Sequence, residues 1–259
     1  MHRISRITLT FFGVTVFVVA FGTYGFFRTE RVVGIVIPHH DMVRSVREEF
    51  LQRLSKDTSP ETIILISPDH FNEATSPLVT TDRIWETKEG TIQPNVTVIS
   101  GSGLPRDDAA FNGEHGIGNV IGPLKRAFPA STIVPILANR KATYREMYSL
   151  VTTLNEICPE CLLVVSVDFS HVNNTSEARA HDEVTLRALR AADSVDAYKN
   201  AHADSPEALV VLIEWARLHN AERFTLFEHT NSGELTHVEE GEITTHIFGA
   251  YSSPRIPVF

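Results

Sequence analysis

Short runs of aliphatic and β-branched residues alternate along this chain with stretches of helical spacing. Residues 32–37 (VVGIVI) form an apolar run closed by Pro38, the pattern of a strand covered on both faces. Over residues 41–55, Met42, Val43, Val46, Phe50, Leu51 and Leu54 recur at helical spacing, and residues 61–67 repeat the strand signal before Pro68. Strand, helix and strand in that order build a parallel sheet through a crossover. Residues 131–137, 144–157 and 162–167 predict a second such unit. Helices follow over 176–192 and 206–219, the latter with Ser205 as N-cap and Pro206 in its first position. Residues 223–228 and 244–251 read as late strands. The expectation is a single α/β domain with a mostly parallel central sheet flanked by helices.

Between residues 74 and 112 the pattern weakens. Gly90, Pro94, Gly101, Gly103 and Pro105 mark turns around short strands such as 95–99, so this stretch reads as a substrate-shaping lid or a small edge hairpin. The glycines of GEHGIGNVIG do not make a phosphate loop, because the preceding strand and the lysine are missing.

The N-terminus is a separate piece. Residues 7–27 contain no charge and have roughly the length that spans a bilayer as a helix. Arg3 and Arg6 precede them, which suits either an uncleaved single-pass anchor or a secretory signal. Both readings divide the chain into residues 1–31 and a body of residues 32–259, and both export that body. The whole chain carries a formal charge of −9 and its first 31 residues are net basic, so the body is strongly acidic and does not suit nucleic acid. Cys158 and Cys161, the only cysteines, lie directly before the strand at 162–167. A redox-active pair normally opens a helix after a strand, so a structural disulfide or two plain thiols is the preferred reading.

Candidate chemistry lies at the strand ends. His39 follows the first strand, His70 the second and His171 the one ending at 167, while His115 sits in a glycine-bracketed turn. In an open α/β sheet the carboxyl ends of the strands face one crevice. Imidazoles gathered there suggest a metal centre or proton transfer, and Asp69, Glu114 and Asp168 stand close in sequence to orient them.

The residues carrying this pattern resemble a known family. Val-Ile-Pro-His (36–39), Ile-Ser-Pro-Asp-His (66–70), Glu114-His115 and Ser166 to His171 are similar, in order and spacing, to motifs of the MEMO1 family, also called AmmeMemoRadiSam system protein B. The resemblance implies a fold like that of the class III extradiol dioxygenase catalytic subunits, which bind non-haem iron(II) through two histidines and a carboxylate. In the MEMO1 family the corresponding site has two histidines and a cysteine and holds iron or copper. By position His39 and His70 match the two histidines. Anchoring on Pro206 puts His202 where the cysteine would be, with Asp204 as an alternative donor. An all-imidazole site suits iron, copper or zinc. His115 and His171, with Glu114 and Asp168, are the implied acid/base or substrate contacts. His40 would point away from the ligand position, His246 could reach the pocket floor, and Gly118 stands where relatives often have glutamate.

Three functional readings follow. One is a mononuclear iron or copper redox enzyme. Another is a zinc hydrolase with Glu114 as base. The third is a non-catalytic protein, tethered to the membrane through residues 7–27, that binds a small molecule or peptide in the crevice. Against all three stands the reading that every histidine is structural.

Overall fold

A computed structural model describes residues 30–254. The expected membrane or signal segment, residues 7–27, therefore lies outside the described residues. Among those described, no helix is long and apolar enough to cross a membrane. The strands are β1 (Glu30–Ile37), β2 (Thr62–Pro68), β3 (Leu78–Thr80), β4 (Trp85–Thr87), β5 (Gly90–Ile92), β6 (Thr132–Ala138), β7 (Leu162–Ser166), β8 (His171–Asn174), β9 (Arg223–Asn231) and β10 (Glu240–Pro254). The helices are α1 (Arg44–Leu54), α2 (Val96–Gly101), α3 (His115–Ala127), α4 (Tyr144–Ile157), α5 (Thr175–Ala191), α6 (Ser194–Asn200), α7 (Pro206–Leu218) and α8 (Ser232–Thr236), with a single 3-10 turn at Asp41–Val43 before α1.

The chain forms one α/β domain around a mixed sheet ordered β3-β6-β2-β7-β1-β10-β8, with β9 also paired to β10. The four strands β6, β2, β7 and β1 are parallel, so their carboxyl ends share one edge. Strands β3, β10, β8 and β9 add antiparallel pairs on the flanks. Strand pleat separates the core into two halves. Ile64 and Ile66 of β2 and Leu163 and Val165 of β7 face a cluster with α4 and α7, while Ile63, Leu65, Leu162 and Val164 face α1 and α3. Gly34 lets α7 lie close on β1, since a Cβ there would stand 2.8 Å from Leu212 Cδ1. The Trp215 indole seals that contact by donating to the Val33 carbonyl at 2.9 Å.

Two local departures have physical causes. Residues 95–99 are not a strand: the Asn95 side chain accepts from the Val98 amide and caps α2. Helix α3 has no obvious signal because Gly116, Gly118, Gly122 and Pro123 interrupt it, yet Ile117, Val120, Ile121 and Leu124 form one buried stripe. The weak region folds in part as a β4–β5 hairpin, with Gly90 at φ +121° at its turn. Cys158 and Cys161 form a disulfide where α4 turns into β7.

Candidate metal centre

The loop after β1 carries His39 into the crevice and is held from several sides. Asp168 Oδ1, just beyond β7, accepts from the main-chain amides of His39 at 3.1 Å and His40 at 3.2 Å. Asn119 of α3 donates to the His39 carbonyl at 3.1 Å. The fully buried Arg47 of α1 donates to the carbonyls of Pro38 at 2.8 Å and His40 at 3.2 Å.

The His39 tautomer follows from its partner. Ser166 donates its only hydroxyl proton to the Gly116 carbonyl at 2.6 Å, so it accepts from His39 Nδ1 at 3.2 Å. His39 Nε2 then faces Asp204 Oδ2 at 3.2 Å and Asp168 Oδ2 at 3.3 Å. His70 is fixed the same way, its Nδ1 lying 2.6 Å from Glu114 Oε1. Glu114 also accepts from the His70 amide at 3.0 Å and caps α3 through the Gly116 amide at 2.9 Å. His70 Nε2 points to Asp204 Oδ2 at 3.4 Å.

Two imidazole Nε2 atoms therefore meet one carboxylate oxygen. Without a proton or a cation between them, lone pairs would face a negative charge. In the metal-free protein protons take that role. Burial disfavours the charged imidazoles, but hydrogen bonds to Asp204, and to Glu114 for His70, outweigh it; His39 is raised above its ordinary value and His70 rises to about 9. Burial likewise pushes Asp204 up, but the two imidazoles win and hold it down at about 2. Asp204 Oδ1 is buried with no hydrogen-bond partner. A buried carboxylate with an orphaned oxygen beside two ring nitrogens fits a cation bound between them.

Asp204 reaches this place through a backbone link. Its amide donates to the Asp168 carbonyl at 3.0 Å, the Asp168 amide donates back to Asp204 Oδ2 at 3.1 Å, and Phe169 and Ala203 form an antiparallel bridge. His202, expected from the sequence as the third ligand, stands elsewhere. Its amide is held by Thr185 Oγ1 at 2.9 Å and its ring stacks on His181 of α5, centroids 3.5 Å apart. The structure thus places the Asp204 carboxylate, not the His202 imidazole, beside His39 and His70.

The remaining candidates also have defined places. His115 opens α3 with its ring centroid 3.9 Å from His70 and 5.2 Å from His39, and its side chain is 45% exposed. Burial and the two neighbouring imidazoles lower its pKa. Ring nitrogens of His39, His70 and His115 come within 4.8 Å of one another, as do donor atoms of His39, Asp168 and Asp204. His171 lies at the rim, its Nδ1 3.3 Å from Thr244 Oγ1. His246 is fully buried on β10, with Nε2 3.0 Å from His40 Nδ1, and burial followed by the neighbouring histidines lowers it to about 3. All but His246 among these groups line a cleft of about 620 Å³ at the carboxyl edge of the parallel strands. Sequence reasoning passed over Ser166 as an orienting group and Arg47 as a loop anchor. The one signal for either is the place of Ser166 at the head of the stretch from Ser166 to His171.

Comparison with known proteins agrees with this architecture. Residues 18–245 match the Memo-like protein family. A MEMO1 family protein of Methanosarcina acetivorans is 26% identical over 223 residues, covering 81% of this chain and 82% of its own. One from Pyrobaculum arsenaticum is 24% identical, with coverage of 80% and 79%. An uncharacterized Escherichia coli K12 protein of known crystal structure is 12% identical and shares the fold with a TM-score of 0.58, over 85% of this chain and 99% of that one. With a family match spanning most of the described domain and relatives aligned along four-fifths of its length, the chain belongs to the Memo-like, or MEMO1, family.

Proposed function

We propose that the crevice is a mononuclear non-haem iron(II) site of an oxidoreductase related to the extradiol dioxygenases. The observation that carries this reading is the convergence of His39 Nε2, His70 Nε2 and the buried Asp204 carboxylate, two imidazoles and one carboxylate from three separate chain segments. That donor set, with further positions facing an open cleft, is the one non-haem iron oxygenases use. No thiolate stands beside the pair, and the nearest further imidazole, His115, is set aside here for proton transfer. Bound there, ferrous iron would supply redox chemistry with dioxygen and a small oxygen-bearing substrate.

The chain's own groups have separable tasks. Ser166 and Glu114 hold the Nδ1 protons of His39 and His70 and keep both Nε2 atoms free. Asp168 holds the His39 loop through two amides. His115, with its lowered pKa and partial exposure, is the group suited to accept a proton from a substrate hydroxyl, and His171 faces the same cleft from the rim. Glu114 is committed to His70 and α3, which weighs against a zinc hydrolase with Glu114 as base. Tethering through residues 7–27, with the body outside the cytoplasm, accompanies this proposal; the uncharged stretch and the Cys158–Cys161 disulfide support it.

The test is elemental analysis of the purified protein beside a His39→Ala/His70→Ala variant, followed by oxygen uptake with catechol-like substrates. Iron in the parent, lost in the variant, with substrate-dependent oxygen uptake, is the expected result. A metal-free parent, or stoichiometric zinc without oxygen uptake, would contradict it.

A further inference from the structure

Beside the metal cleft lies a second, smaller chamber of about 220 Å³. Arg140, His171 and Asp204 line both spaces, so the two adjoin. The chamber wall is rich in hydrogen-bond donors: besides Arg140 and His171, it presents His181 and His202, with the buried Phe169 among its lining residues. Arg140 follows β6, and among the described residues no hydrogen bond or ion pair holds its guanidinium. His181 and His202 stack with their planes 7° apart, and His181 Nδ1 is buried without a partner. A neutral imidazole still carries one N–H, so these donors persist whatever the protonation state.

Nearby acids are already engaged. Asp182 accepts from Thr245 Oγ1 at 2.7 Å and Ser170 Oγ at 3.4 Å, and pairs with His229 Nε2 at 2.7 Å. Asp204 Oδ2 serves His39, His70 and the Asp168 amide. The chamber therefore holds a guanidinium without a hydrogen bond or ion pair and several imidazole rings, more donors than its one unpaired carboxylate oxygen, Asp204 Oδ1 of the proposed metal site, can match. Such a deficit is satisfied by an oxyanion, and a guanidinium presents two parallel donors to a planar carboxylate.

We propose that this chamber binds the carboxylate of a small organic acid whose other end reaches the metal cleft. The proposal deepens the redox reading above by naming a substrate class, and it rests on that reading only for what happens at the far end. A chamber of this size takes a carboxylate with a few attached carbons and leaves the larger cleft for the reacting group.

Calorimetric titration of the metal-free full-length protein with benzoate and with succinate tests it, beside Arg140→Gln and His202→Asn variants whose folding is checked by circular dichroism. Ring-nitrogen NMR signals of His181 and His202 followed through the same titrations report the location. Carboxylate binding that shifts both ring signals and weakens at least tenfold in Arg140→Gln is expected. No binding by the parent, binding unchanged in Arg140→Gln, or preference for inorganic phosphate over both acids would overturn it. The His39→Ala/His70→Ala variant separates the two claims: carboxylate binding that survives there and still depends on Arg140 upholds the chamber even if the metal reading fails.

Discussion

His39 gives its Nδ1 proton to Ser166, because the serine hydroxyl is already spent on the Gly116 carbonyl. This relay joins the start of α3 to the end of β7 and leaves His39 Nε2 free for a metal. His70 and Glu114 repeat the arrangement across the cleft.

Removing either orienting group should weaken metal binding without removing a ligand. Ser166→Ala and Glu114→Gln are each expected to lower iron(II) affinity about 10–100-fold, the usual cost of losing such a partner. Competition against a chromophoric chelator measures it. Glu114→Gln should also lower the melting temperature slightly, because Glu114 caps α3.

The metal-free protein should lose stability as the pH rises. His70 is raised to about 9 and His39 is raised as well, so their contribution is fully present below the unfolded value near 6.5 and is lost as the pH climbs through about 9. The loss should be on the order of 1 kcal/mol once solvent screening of the partly exposed His70 is allowed for, or about 2–4 °C in a chain of this size. Metal affinity should move the opposite way, because bound imidazoles must be unprotonated. Thermal melts of chelator-treated and iron-loaded protein from pH 6 to pH 10 check both. A flat profile for the chelator-treated protein would count against the proton-filled site.

Arg47 should matter to the site more than to the fold. Its Nε and Nη2 are buried without hydrogen-bond partners, so an apolar side chain of similar length removes a costly group. Arg47→Met is expected to melt within a few degrees of the parent yet bind metal several-fold more weakly, as the Pro38 and His40 carbonyls lose the donor that anchors the His39 loop. Thermal melts and metal titration on the same preparation distinguish the two effects.

Much of the fold is legible in local pattern, and the site much less so. Strand β2 is readable as an apolar run buried at every position and helix α4 by its unbroken helical period, and the strand-end position of His39 and His70 follows from parallel topology. Helix α3 is hidden by its glycines and Pro123; it folds because one apolar stripe finds the sheet. The third donor shows the limit most sharply. His202 and Asp204 are two residues apart, and motif spacing favours the first. What brings the second, and not the first, beside His39 and His70 is the non-local Phe169–Ala203 bridge together with the stacking of His202 on His181. Neither interaction leaves a trace in the local sequence.

The central claim, that Asp204 completes the metal site with His39 and His70, is tested most directly by metal content in Asp204→Ala and His202→Ala measured side by side. Near-complete loss of bound iron in Asp204→Ala, with parental stoichiometry in His202→Ala, is the predicted result. Retention in Asp204→Ala with loss in His202→Ala would contradict it.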